Sequence, residues 1–166
     1  MKKRRVLSSF VSLALIFTLT LASSLTVFAA SGNKKVTTSG KMSALLNVGQ
    51  TADSSTVSFN VSGLPTNAVI TKLEVNTETL SYTGAVITNY LKITSSNGRA
   101  EEIPWQGAAN KTLTTSKFLA SKANGTYTIS FNSTCVGGAI VNGKPLNVGT
   151  KIYSKPYIVV HWDDSF

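Results

Sequence analysis

The chain has 166 residues, with 16 Lys or Arg, seven Asp or Glu, a single His and a single Cys. One imidazole and one thiol cannot complete a tetrahedral zinc site, and a lone cysteine excludes an intrachain disulfide, so the fold must rest on packing and strand hydrogen bonds. Four of the 16 basic residues (Lys2, Lys3, Arg4, Arg5) stand together at the N-terminus, leaving 12 basic against seven acidic groups, a net charge of +5 rather than +9. That excess suits an anionic surface. The charges are scattered, however, and no basic run is interleaved with aromatics, which argues against nucleic acid as a partner.

The four basic residues are followed by an uncharged, largely apolar stretch from Val6 to Phe28, closed by Val27-Phe28-Ala29-Ala30. Basic, apolar, small-residue is the order of a secretory signal, with cleavage expected after Ala29 or Ala30. The stretch is long enough to span a bilayer as an uncleaved anchor. Its many Ser and Thr residues and the small-residue site favour cleavage. Residues 1–30 are therefore expected to be a signal peptide, of bacterial character, and the product to be secreted and extracellular. Removing them leaves one domain's worth of chain.

Residues 31–40, rich in Ser, Gly, Thr and Lys, read as a flexible leader, and residues 41–166 as the folded domain. Val57, Phe59 and Val61 alternate with polar residues, the pattern of a half-buried strand, and Gly63–Asn67 stops it. Thr71, Leu73 and Val75 share a face of the next strand. Residues 90–94 repeat the alternation and end at Ser95-Ser96-Asn97-Gly98, a tight-turn signal. Tyr127, Ile129 and Phe131 alternate with Thr126, Thr128 and Ser130. Ile152-Tyr153 and residues 157–162 are further strand candidates, the latter apolar on both faces and so expected centrally in a sheet. Short helices are conceivable only at residues 42–46 and 117–122. The sum predicts an all-β chain, a single antiparallel β-sandwich with jelly-roll character.

Catalytic chemistry is poorly supplied. Cys135 and His161 could form a nucleophile–base pair, but Asp163 and Asp164 lie too close along the same strand to orient the ring, and no Gly-x-Ser-x-Gly elbow is present. Cys135 reads better as a small core residue. Glu101 and Glu102 are adjacent, so in a strand they point to opposite faces and cannot flank one glycosidic bond. Asp163-Asp164 offer two oxygens to calcium without a D-x-D-x-D loop around them. No metal and no cofactor is expected.

Aromatic residues beside polar loops remain. Trp105 follows Ile103-Pro104, while Tyr82 and Tyr90 flank Thr83-Gly84-Ala85; such rings can stack on sugars or sit at membrane interfaces. For Trp105 the alternative is a cap on the end of the core. The segments Thr79–Val86, Leu91–Gly98 and Gly125–Phe131 resemble, in order, motifs of the P domain found behind the catalytic domain of subtilisin-like proprotein convertases. Leu80 and Ala85 stand where that family has His and Asp, so its calcium-supporting carboxylates are not carried over. What the resemblance implies is a jelly-roll sandwich used as a separate module. The expected function is thus non-catalytic: a secreted module binding an extracellular glycan, a cell-wall polymer or a protein, with Trp105, Tyr82 and Tyr90 as contacts. The alternatives are a membrane-active or antagonistic protein touching a membrane surface and, third, a Cys/His hydrolase.

Overall fold

The computed structural model describes residues 30–165, so all of the expected signal segment except Ala30 lies outside the described residues. Two antiparallel sheets face each other across one apolar core. The first is built around β12 (Val148–Asp163), which pairs on one side with β5 (Val69–Thr83) and on the other with β1 (Ser31–Thr37) and β2 (Lys41–Asn47) in succession; β8 (Leu113–Thr115) closes the far edge of β5. The second is built around β9 (Gly125–Gly137), with β3 (Thr51–Asp53) and β4 (Val57–Val61) along one side, then β6 (Ala85–Ser95) and β7 (Ala100–Pro104) on the other. A separate hairpin joins β10 (Ile140–Val141) to β11 (Lys144–Pro145).

Taking β2, β4, β5, β6, β7, β8, β9 and β12 as first to eighth, the sheets run first-eighth-third-sixth and second-seventh-fourth-fifth. Every connection but the β6–β7 hairpin crosses from one sheet to the other. That is jelly-roll order, with both sheets' inner faces sharing one core.

Period-two alternation holds in β4 and β9: Val57, Phe59 and Val61 are buried, as are Tyr127, Ile129 and Phe131. In β5 the inward set is Ile70, Leu73 and Val75, while Thr71 is exposed. A register shift opposite His161/Trp162 moves the start of β5 by one position, and a one-residue shift exchanges the faces. The two C-terminal strand candidates fuse into the 16-residue β12. Lys155, with φ of 52°, interrupts the pairing locally, but the ladder resumes on both sides.

Three expectations are corrected. The supposed leader at residues 31–40 is largely β1, paired residue by residue with β12 from Ser31↔Asp163 to Thr37↔Tyr157. It looks polar because it is an edge strand: Val36 alone packs against the core, and Lys35 lies 3.6 Å from the Tyr157 ring centroid. Lysines on an edge also discourage pairing with a second chain. The possible helix at residues 42–46 is β2, where Met42, Ala44 and Leu46 are buried and Lys41 and Leu45 face out. Residues 117–122 form turns that anchor the fully buried Phe118, with Ala120 at φ of 59°.

Candidate binding surfaces

Trp105 follows β7 directly and is only 4% exposed. Its ring lies 4.6 Å from that of Tyr153, tilted by 40°, and Phe131 meets Tyr153 edge-on at 5.0 Å. The Tyr153 hydroxyl donates to the Gly107 carbonyl at 2.6 Å and lies 3.1 Å from Thr88 Oγ1. Gly107 has φ of 81°, and a Cβ there would fall 2.5 Å from the Tyr153 hydroxyl and 2.8 Å from Lys151 Nζ. The chain can pass this close only without a side chain. Trp105 therefore plugs the core beneath the β7–β8 loop, the alternative its sequence context left open, and it is removed from the candidate ligand contacts.

Lys151 is 7% exposed, and its Nζ donates to the Val86 carbonyl at 3.0 Å. Among the described residues the carboxylate contacts to basic side chains within 4.0 Å are Lys72–Glu74 and His161–Glu74, so no carboxylate neutralises it within that distance. Burial pushes its pKa below the ordinary lysine value. Below the folded-state pKa both states are charged, and the burial cost is fully present. As pH climbs from there towards 10.5, the unfolded chain keeps its proton and the folded one sheds it, so stability rises with pH in that window. Lys151→Met is expected to leave stability at pH 7 unchanged or raised by about 1–2 kcal/mol and to abolish that alkaline rise. Urea denaturation of both proteins from pH 7 to 10 checks it; a loss above about 2 kcal/mol would show that the amine is fully compensated.

Beside Lys151 a depression of about 210 Å³ opens between the β5 and β6 ends, lined by Leu80, Tyr82, Gly84, Ala85, Val86, Ile87 and Lys151. Tyr82 pairs with Lys151 across the ladder and is 66% exposed, so it forms one wall. This wall belongs to a larger feature. The end of β2 and the turn after it bring Leu45 and Val48 to this end of the sandwich, the end of β5 brings Tyr82, the start of β6 brings Ile87, and β9 ends there with Val136. The β10–β11 hairpin adds Ile140, Val141 and Leu146. Among the described residues, Leu119 alone of the large exposed apolar side chains lies elsewhere.

Residues 44–50, 80–88 and 135–151, which form this end, contain no Asp or Glu and include Lys144 and Lys151. Asp163, Asp164, Glu101 and Glu102 lie towards the opposite end. Scattered exposed apolar residues are ordinary, whereas their concentration at one end of a sandwich points to a contact surface. The hairpin turns through Asn142 (φ 51°) and Gly143 (φ 74°), the two positive values of a type I′ turn. Asn-Gly after Ile-Val is the local sequence signal for this hairpin.

Tyr90 lies on another surface, the outer face of the β9 sheet. It is half-buried and in register with Asn132 and, one strand further, Asp53. Asn132 Nδ2 donates to Asp53 Oδ1 at 2.6 Å. The bulge at Asn89 lets that side chain reach Asn132 Oδ1 at 2.8 Å and Thr134 Oγ1 at 3.0 Å. Desolvation, then the Asp53 and Glu102 charges, raises the Tyr90 pKa. Tyr82 and Tyr90 thus serve different faces.

Cys135 and His161 are not brought together. Cys135 is fully buried, with Sγ 2.9 Å from the Cβ position of Gly149, whereas His161 stands 12 residues further along β12, about 40 Å of strand. His161 Nε2 instead lies 3.2 Å from Glu74. Asp163 accepts the Ser165 N–H, and Asp164 accepts that of Ala30. Among the described residues, no group of three or more His, Cys, Asp or Glu side chains is placed to hold a metal, and no helix is long and apolar enough to cross a membrane.

No family model matches the chain, and no curated protein matches it. Among solved structures, one described as the crystal structure of FLHE is similar at 17% identity and a TM-score of 0.44, over 80% of this chain and 97% of that one. Likeness of that degree transfers no activity.

Proposed function

We propose that the protein is a secreted, non-catalytic jelly-roll module that binds a cell-surface or extracellular partner through its apolar end. The observation that carries this reading is the gathering of exposed apolar side chains where the β2–β3, β5–β6 and β9–β12 connections meet, without a carboxylate among them. Connections at the end of a sandwich can change without disturbing the core, which makes them the usual place for binding. The separation of Cys135 from His161 disfavours the hydrolase alternative.

The test is retention of the exported protein on purified wall, insoluble glycan and membrane fractions, compared with Ile140→Asp/Val141→Asp. At least one fraction should retain the parent protein, and the double variant should lose tenfold or more of that retention, since two partly exposed aliphatic contacts are replaced by charge. Equal retention of the two proteins rejects the apolar end as the binding surface. A second reading is favoured by the Tyr90–Asn132–Asp53 row, where a ring lies beside fixed amide and carboxylate groups, an arrangement suited to a sugar face. Selective loss of glycan retention by Tyr90→Ala would support it.

A further inference from the structure

We infer that the apolar end docks into the headgroup region of an anionic lipid bilayer, an inference that rests on the reading of that end as the binding surface. The shape of the β10–β11 hairpin points to a fluid partner. Ile140 and Val141 are consecutive in a strand, so they point to opposite faces of the ribbon. Both are exposed, at 74% and 50%. A rigid protein surface laid on one face of the ribbon leaves the other in water, whereas lipid surrounds both.

The ribbon also pairs with no other strand; Ala139 N–H to Val148 O and Leu146 N–H to Ala139 O, both 2.7 Å, fasten its base to the sandwich. It is held as a projecting tip. Charge complementarity selects the lipid. Lys144 follows the Asn142-Gly143 turn and pairs with Val141, where its long stem can run beside the apolar side chains and carry the ammonium to the phosphates, and no carboxylate on this end opposes it. Tyr82, with an apolar ring and a polar hydroxyl, suits the same boundary. Insertion is confined to this end, because among the described residues every large exposed apolar side chain except Leu119 lies there.

Co-sedimentation of the exported protein with vesicles of equal parts phosphatidylglycerol and phosphatidylcholine tests this, against pure phosphatidylcholine vesicles. Partition onto the anionic vesicles is expected, with a tenfold or greater loss in Ile140→Asp/Val141→Asp and roughly a five-fold loss in Lys144→Ala, the effect of one lysine near a charged surface. Thermal unfolding by circular dichroism establishes that both variants are folded, and Lys117→Ala, at the opposite end of the sandwich, should partition like the parent protein. Failure of the parent protein to partition overturns the inference. If envelope retention still depends on Ile140 and Val141 in that case, the apolar end remains a binding surface with a protein occupant. A dimer that dissociates in Ile140→Asp/Val141→Asp, seen by sedimentation velocity without vesicles, would instead make the occupant a second copy of this chain. Equal partition of the double variant and the parent protein rejects lipid docking through this end.

Discussion

Tyr153→Ala is expected to lower the unfolding free energy by about 3–5 kcal/mol, while Tyr153→Phe should cost only about 1–2 kcal/mol. The ring is fully buried between Trp105 and Phe131, so its removal leaves a cavity bounded by two aromatic rings from the opposing sheet and its loop. Phe131 is held in β9 and Trp105 directly follows β7, so neither ring can collapse freely into the space, which places the cost high in the usual range. Phenylalanine keeps the packing and loses only the hydroxyl, leaving the Gly107 carbonyl without its 2.6 Å donor. Urea denaturation followed by far-ultraviolet circular dichroism gives both values. Trp105 is one of two tryptophans, and its emission should shift to longer wavelength in Tyr153→Ala as water reaches the β7–β8 loop. A loss below about 2 kcal/mol in the alanine variant would mean that the loop repacks and that Tyr153 does not clamp it.

How far the sequence discloses this arrangement varies with the kind of interaction that fixes each part. β4 and the inner half of β9 are legible because one face is buried and the other is wet, which writes period two into Val57–Val61 and Thr126–Phe131. β12 is legible as a central strand because strands pair along both its edges, which leaves its outer face only partly exposed and lets residues 157–160 be apolar without interruption. β1 is not legible. Its stability comes from backbone pairing with β12, and the ladder leaves no trace in the side chains of Ser31-Gly32-Asn33-Lys34.

The candidate site divides in the same way. Tyr82 could be read as exposed because turn residues follow it, but Trp105 has the same kind of context and is buried, since Tyr153, 48 positions away, supplies its partner ring. Ile140 and Val141 read locally like core residues. Only the meeting of three connections, each distant from the others in the chain, shows them to be part of an uncovered surface. Exposed apolar residues and core residues are written with the same letters. The clue within reach was the Asn142-Gly143 pair, which marks a two-residue hairpin too short to pack a core of its own.

Above pH 10 the fold should become progressively less stable, losing about 5 kcal/mol in total by pH 12 through Tyr127 and Tyr153. Burial pushes both phenol pKa values up to about 12, against an ordinary value of 10.0. Below pH 10 the folded and unfolded states both hold their phenolic protons, and the full stability is present. Between 10 and 12 the unfolded chain releases these protons while the folded chain retains them, so stability falls as pH rises. Two units correspond to about 2.7 kcal/mol for each group. The contributions should add approximately, because the two hydroxyls bond to different segments. Tyr127 faces the Lys122 and Ala123 carbonyls, both at 3.1 Å, and Tyr153 faces that of Gly107. A phenolate at Tyr127 meets carbonyl oxygen in place of a donor, and at Tyr153 burial outweighs the help that the Thr88 hydroxyl can give, so the charged form is costly at both positions. The Lys151 effect has the opposite sign and ends near 10.5, so stability passes through a maximum before the tyrosine-driven loss dominates. Urea denaturation of the parent protein, Tyr127→Phe and Tyr153→Phe across pH 9 to 12 resolves the terms: each phenylalanine should remove about half of the loss above pH 10. A slope unchanged in both variants would show that these hydroxyls reach water in the native state, and that the core around Trp105 is more open than its packing indicates.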